Sequence, residues 1–221
     1  MRAEITKLPF WNDLSDDEQE MVGSATVFRH YDIGQLIHGS CDGGGSCLGL
    51  VYVLSGDIRT YIVSPEGREV TLFKLKKDDF CVFAASCVLS RIKQETQMVP
   101  VSDVELMIVP VPVFAKLCAK NIQVKSLAYE LATEKLSEVM SVFERILFVP
   151  LESRLAAYLV EQYRMSGSSE LMITQEKVAQ EINSAREVVA RALSKLARNG
   201  VVSMQRGKIV LEDIKQLELM M

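Results

Sequence analysis

Arg186, Glu187 and Arg191 carry the most telling chemistry of this chain. A guanidinium presents two parallel N–H donors to a pair of adjacent acceptors, and a carboxylate accepts from an exocyclic amine. Guanine and cytosine edges offer those partners in the major groove of a duplex. Residues 187 and 191 are four apart, so a helix places them on one face. Lys195 and Arg198 extend the outward face, and Val189, Leu193 and Leu196 form the apolar side. A shorter amphipathic segment precedes them, with Val178, Ala179 and Ile182 inward and a polar turn at Asn183. Gly200 stops the second helix, and Val201–Val210 reads as a small hairpin. Two helices at a tight turn followed by a hairpin predict a winged helix-turn-helix. Thr174, Gln175, Ser184, Lys195, Arg206 and Lys208 are candidate phosphate contacts, which position a protein without reading sequence. Glu187 has a second reading: Ser184 and Glu187 also fit a capping box, as N-cap and N3.

The charge distribution agrees with a nucleic-acid partner. The chain carries a net charge of −4, but Thr174–Val210 holds seven basic and three acidic residues. That segment is therefore +4 and the remainder −8, so the overall sign misleads about local partners. At 221 residues and 48% hydrophobic, the chain is large enough for a real core in one or two domains. No stretch is long and apolar enough to cross a bilayer, and the N-terminus lacks a signal-peptide core, so a cytoplasmic location is expected. Five cysteines, an odd number, argue against a disulfide framework there.

The elements that hold this motif change character along the chain. Residues 6–23 read as an opening helix, with Ser15-Asp16-Asp17-Glu18 as its cap. Residues 25–110 alternate with period two between turn glycines, predicting about eight strands in a closed antiparallel roll. Residues 112–148 return to a helical period, with Val124, Leu127, Leu131, Val139, Val142 and Ile146 on one stripe and Phe143 beside it. Lys135 and its acidic neighbours fall mostly off that stripe. Two readings are open: packing against the roll, or a dimerising coiled coil. Pro150 ends this helix and opens another over 151–165. The predicted class is α+β, with an antiparallel β-roll at 1–118, the long helix at 119–149 and a winged helix-turn-helix at 150–221.

Three stretches in this order resemble the CRP/FNR family of bacterial transcription regulators. They are Leu8–Glu18, the hairpin pair Gly56-Asp57-Ile58 and Pro65–Glu69, and the Thr174–Val210 block. The resemblance covers essentially the whole chain. It implies a homodimer paired through the long helix, double-stranded DNA with a near-palindromic site, and RNA polymerase as a partner of an activator. It also implies that residues 1–118 are the sensor roll, where a received signal alters the pose of the DNA-binding domains, and that 119–149 is the dimerisation helix. Arg186, Glu187 and Arg191 fall on the family's base-reading positions. Ala190, where the FNR branch has Ser, makes the pattern look more like the CRP branch.

The resemblance disfavours cyclic AMP as the signal. The family's phosphate pocket has Gly-Glu after its Gly-Asp-Phe-like turn, whereas Val82-Phe83 follows Asp78–Cys81 here. Its Arg-Ser place falls near Gln94-Glu95, where a carboxylate repels phosphate. The purine-contacting helix positions read about Val139-Met140. The FNR cluster is also unmatched, since residues 1–24 hold no cysteine. Haem through His30 or His38 stays open. Cys41 and Cys47, and Cys81 and Cys87, are each separated by five residues. Thiolates of Cys47, Cys81 and Cys87 would suit a metal or iron–sulfur cluster or a thiol switch; otherwise these are apolar packing residues. Phe80, Cys81, Phe83, Cys87, Val139 and Met140 form the candidate effector pocket, suited to a small organic ligand. Two further readings stand beside the leading one: a constitutive DNA-binding dimer with a structural roll, and a metal enzyme on a cupin-like roll. The enzyme reading is poorly supplied, with two histidines and no nucleophile–base pair.

Overall fold

Short apolar runs between turn glycines build two sheets ahead of the long helix. The computed structural model describes residues 3–37, 48–82 and 96–221. Helix α1 (Asp16–Ala25) opens with a complete capping box, Ser15 and Glu18 each accepting from the other's backbone N–H. Residues 3–7 and 11–13 form short 3-10 turns, so the predicted opening helix starts later than residue 6. Pro9 limits the helix there, and Phe10 and Trp11 are buried.

Seven strands follow among the described residues: β1 (Val27–Tyr31), β2 (Leu50–Ser55), β3 (Ile58–Val63), β4 (Glu69–Leu75), β5 (Phe80–Cys81), β6 (Gln97–Pro100) and β7 (Val104–Val109). One sheet runs β1-β7-β2-β5 and the other β4-β3-β6, with antiparallel pairing in each. Strands β2 and β7 lie centrally and have long buried runs. Their residues read as near-continuous apolar sequence because both faces pack. Gly56 turns β2 into β3 at φ +80°, and a Cβ there would stand 2.2 Å from the carbonyl oxygen of Asp103. The turn is sealed by Asp57 N–H donating to Ser102 Oγ at 2.9 Å and Val101 N–H donating to Asp57 O at 2.9 Å.

Helix α2 (Val111–Lys120) stops at Asn121, and α3 (Ile122–Phe148) starts immediately after it. The Asn121 amide makes this break: Oδ1 accepts from Gln123 and Val124 N–H, and Nδ2 donates to Asp13 O at 2.9 Å. Helix α3 carries two apolar stripes, and Phe143, expected on the same side as Val142 and Ile146, is exposed on the other. Val124, Leu127 and Leu131 pack with the core of the sheets, and Val139 and Val142 are buried. Tyr129, Leu136, Met140, Phe143 and Leu147 form a second, exposed stripe. Lys135, expected off the inner stripe, lies on it at 5% exposure. Its ammonium donates to Glu138 Oε1 at 2.6 Å and stands 5.5 Å from the Phe73 ring centroid. Burial alone would lower its pKa, but the hydrogen bond and charge of Glu138, with Glu134 and Asp79, raise it.

The chain forms two compact units, one of residues 1–62 with 72–139 and one of residues 63–71 with 140–221. The second contains α4 (Leu151–Ser166), β8 (Glu170–Leu171), α5 (Gln175–Glu181), α6 (Arg186–Arg198), β9 (Val202–Gln205), β10 (Lys208–Leu211) and α7 (Ile214–Leu219). Its small sheet has the order β8-β10-β9. Leu155, Leu159, Val178, Val189 and Leu193 form a core with no solvent exposure.

Two glycines separate backbone strain from steric clash. Gly56→Ala is expected to cost about 2 kcal/mol or more, because its Cβ meets backbone that cannot yield. Gly67→Ala has a similar φ but open space around its Cβ, and should cost only about 1 kcal/mol. Urea unfolding of both variants checks the ordering; equal midpoints would refute the close approach at Gly56.

Candidate nucleic-acid interface

The helix pair is built by small residues inside and a constrained turn. Thr174 caps α5, its Oγ1 accepting from Lys177 N–H at 3.1 Å. Val178, Ala179 and Ile182 of the first helix, with Val189, Leu193 and Leu196 of the second, are all buried as expected. Between the helices Asn183 takes φ +53°, a left-handed conformation that Asn tolerates because its short amide bonds locally. Ser184 N–H then closes on Ala179 O at 2.9 Å.

This turn is held from several sides within its own unit. The Asn183 side chain accepts from Thr71 N–H at 2.7 Å and donates to Thr71 O at 2.9 Å. Its carbonyl accepts from Arg68 Nη2 at 3.3 Å. The neighbouring Ile182 carbonyl accepts from Arg154 Nη1 at 2.6 Å, while Arg154 Nε donates to Val149 O at 3.2 Å. Burial lowers the Arg154 pKa, and repulsion from Arg68 and Arg145 lowers it further. The tip of the β3–β4 hairpin, Val63–Thr71, thus belongs with the C-terminal unit.

Ala185, not Ser184, is the N-cap of α6, and no side chain caps it. The left-handed Asn183 and the closure of Ser184 onto Ala179 delay the helix by one residue. Glu187 is accordingly in the first turn without the capping box, and its carboxylate is exposed. Arg186 and Arg191 are exposed as well. Thr174, Gln175, Arg186, Arg206 and Lys208 line one open groove, shared with Met204 and Gly207 of the hairpin β9–β10. The groove joins the start of α5, the start of α6 and the wing. Two of the lysines are not idle: Lys208 pairs with Glu170 at 2.6 Å and Lys195 with Glu152 at 3.5 Å. A phosphate at either must compete with a carboxylate. Ser184 sits half-buried in the turn.

The candidate effector residues are placed unevenly. Phe83, Cys87 and Cys47, with Cys41 and His38, lie outside the described residues. Phe80 stacks on Tyr52 at a centroid distance of 4.4 Å, and Tyr52 Oη donates to Asp78 at 2.6 Å. Burial, then the hydrogen bond and charge of Asp78, push the Tyr52 phenol up to about 12. Cys81 is fully buried in β5, opposite Val51 of β2. Val139 is buried, but Met140 is 60% exposed on the outer stripe of α3, so the helix turns it away from the inner stripe that carries Val139. Among the described residues no group of three or more His, Cys, Asp or Glu converges for a metal. His30 stands on β1 with Nε2 3.3 Å from Asp32 Oδ1. Cys118 is buried at the end of α2, where burial raises its thiol pKa. No helix among the described residues is long and apolar enough to cross a membrane.

Comparison with known proteins places this geometry. Residues 153–220 match the Crp-like helix-turn-helix domain family. The transcriptional regulator SdrP of Thermus thermophilus is 30% identical over 172 residues, covering 75% of this chain and 80% of that protein. The cyclic AMP receptor protein of the same organism is 25% identical over 210 residues, covering 95% of each. A crystal structure from Eubacterium rectale, described as a transcriptional regulator of the crp/fnr family, superposes with a TM-score of 0.85 at 34% identity. It covers 97% of this chain and 98% of that one.

The turn itself is testable by stability. Asn183→Gly keeps the left-handed backbone and removes two hydrogen bonds, for an expected cost of about 2 kcal/mol. Asn183→Ala adds the left-handed penalty and should cost about 1 kcal/mol more. Denaturant titration distinguishes them, and equal costs would remove the conformational argument.

Proposed function

The chain belongs to the CRP/FNR family of DNA-binding transcription regulators, and on that footing we propose that it acts in the cytoplasm as a homodimer that reads a near-palindromic duplex. One observation carries the reading. The predicted phosphate residues Thr174, Gln175, Arg206 and Lys208 gather with Arg186 in a single groove beside the exposed face of α6. In the proposal α6 enters the major groove, where Arg186 and Arg191 donate to guanine O6 and N7. Glu187 accepts from cytosine N4, and no capping role competes for its carboxylate. Thr174, Gln175, Ser184, Lys195, Arg206 and Lys208 hold the backbone phosphates, and the wing brings Arg206 to its own side of the groove.

The dimer follows from the outer stripe of α3. Leu136, Met140, Phe143 and Leu147 are spaced four, three and four apart and are 39% to 71% exposed. That spacing is a coiled-coil seam on a helix that already buries its other apolar stripe. Two symmetric copies present two α6 helices to half-sites about one helical turn apart. The regulatory signal is received in the roll, near Phe80 and Cys81, and is an effector other than cyclic AMP. The signal selects between DNA-binding poses, with RNA polymerase as the further partner where the outcome is activation.

Selection of duplexes from a random pool tests the reading directly, with an inverted repeat as the expected product. On that duplex Arg186→Ala should lose about 1–3 kcal/mol and relax one base position, whereas Arg206→Ala should weaken all sequences alike and flatten the salt slope by about one. Anisotropy titrations at several salt concentrations separate the two, and uniform loss in Arg186→Ala would refute base reading. Leu136→Glu with Phe143→Glu should convert the dimer to monomer in sedimentation; an unchanged mass would place the interface elsewhere.

A further inference from the structure

We infer that a cavity beneath the helix-turn-helix turn binds a small amphipathic organic anion, an aryl- or alkyl-carboxylate, as a second regulatory ligand distinct from the signal received in the roll. The cavity measures about 270 Å³ and lies wholly within the C-terminal unit. Val142, Ile146, Val149, Ala157, Tyr158 and Ile182 give it an apolar wall. The volume falls just below the usual range for drug-sized ligands, which sets the occupant at a single ring or a short chain.

Its polar groups define the sign of the ligand. Arg145 and Arg154 both line the cavity, and Arg68 lies close enough to repel Arg154. Arg154 spends Nε and Nη1 on two backbone carbonyls, which neutralise no charge. Arg145 makes no ion pair among the described residues. Arg68 and Arg145 both repel Arg154, and an anion bound among them would relieve that repulsion. Two carboxylates, Glu161 and Glu181, also border the space, and with burial they raise the Tyr158 phenol. Glu181 is already paired with Lys177 at 2.9 Å. The unmet charge is therefore positive.

The position makes occupancy consequential. The guanidinium that would meet the ligand is the one that holds the Ile182 carbonyl, one residue before the left-handed Asn183. A bound carboxylate competes for that guanidinium and so acts on the turn that aims α6. The cavity also stays open in the proposed dimer. Val142, Arg145, Ile146 and Val149 lie on the side of α3 away from Met140, Phe143 and Leu147, at 100° per residue.

The site is tested on the full-length protein with phenylbutyrate and its neutral analogue phenylbutyramide, by ligand-observed NMR. Saturable binding of the carboxylate is expected at about 1 mM or tighter, with the amide about tenfold weaker or more. Arg145→Glu, an exposed change that does not threaten folding, should weaken the carboxylate about tenfold. Ala157→Trp fills the cavity and should abolish binding. Absence of saturable binding, equal binding of the amide, or unchanged binding in either variant overturns the site. The regulatory role rests on the DNA-binding reading and is measured separately on the selected duplex. Saturating phenylbutyrate should shift the wild-type affinity about threefold or more and leave Ala157→Trp unmoved. Unchanged wild-type affinity overturns the regulatory role, whereas failure to bind duplex without the probe counts against the operator reading and leaves the NMR result intact.

Discussion

The left-handed residue at Asn183 is the constraint on which the candidate DNA-facing surface depends. A helix-turn-helix needs a fixed crossing of its two helices, and here the turn between them passes through one residue at φ +53°. The turn leaves the Ile182 and Asn183 carbonyls and the Asn183 amide in need of partners at low exposure. Each is supplied: Arg154 holds Ile182 O, Arg68 holds Asn183 O, and Thr71 pairs both amide atoms. With the turn fixed, Ala179 lets the helices close and Val189 and Leu193 pack beneath. Arg186, Glu187 and Arg191 are then exposed as a consequence, because the opposite face of α6 is fully committed to the core.

Charge is arranged to serve that surface and no other. The segment Thr174–Val210 is +4 in a chain that is −4 overall. The remaining residues sum to −8, so a polyanion meets attraction at that segment and net repulsion from the rest of the chain. The pairs Lys208–Glu170 and Lys195–Glu152 extend the same economy to single side chains. Each of these lysines has a carboxylate partner, so a phosphate proposed at either would exchange one anion for another rather than fill an unmet charge. Exposed pairs of this kind contribute about 0–1 kcal/mol, so they bias the exchange without blocking it.

Legibility followed the range of the interactions. The six apolar positions predicted for the helix pair are buried because local periodicity determines them. Pro150 likewise divides α3 from α4 at the expected residue, since its missing N–H is a local fact. The break at Asn121 is not legible: its Oδ1 caps Gln123 and Val124 locally, but the amide is oriented by donation to Asp13 O, 108 residues away. The inner position of Lys135 is hidden from the sequence for the same reason, since Glu138 is near in sequence but Phe73 is not. Ser184 and Glu187 fit a capping box by type and spacing, yet Asn183 moves the helix start to Ala185. On α3 the apolar residues occupy two faces, and periodicity could not say which face the sheets would take.

The magnitudes explain how such a molecule can be switched. Coupling between a signal and DNA in allosteric proteins is commonly about 1–3 kcal/mol. A neutral hydrogen bond contributes about 0.5–1.5 kcal/mol net, and one from a charged donor about 1.5–3 kcal/mol. The Asn183 turn carries two of the first kind and, with Ile182, two of the second. Gain or loss of a single guanidinium contact there already matches the whole coupling energy, so no large rearrangement of the core is required. In the proposed symmetric dimer the same change would occur twice against one palindrome. An effect of about 1.4 kcal/mol per turn then becomes about a hundredfold in operator affinity, provided both half-sites are engaged together. A switch of this kind needs no change in the buried apolar core of the C-terminal unit, because the polar bonds at its edge carry energies of the required size.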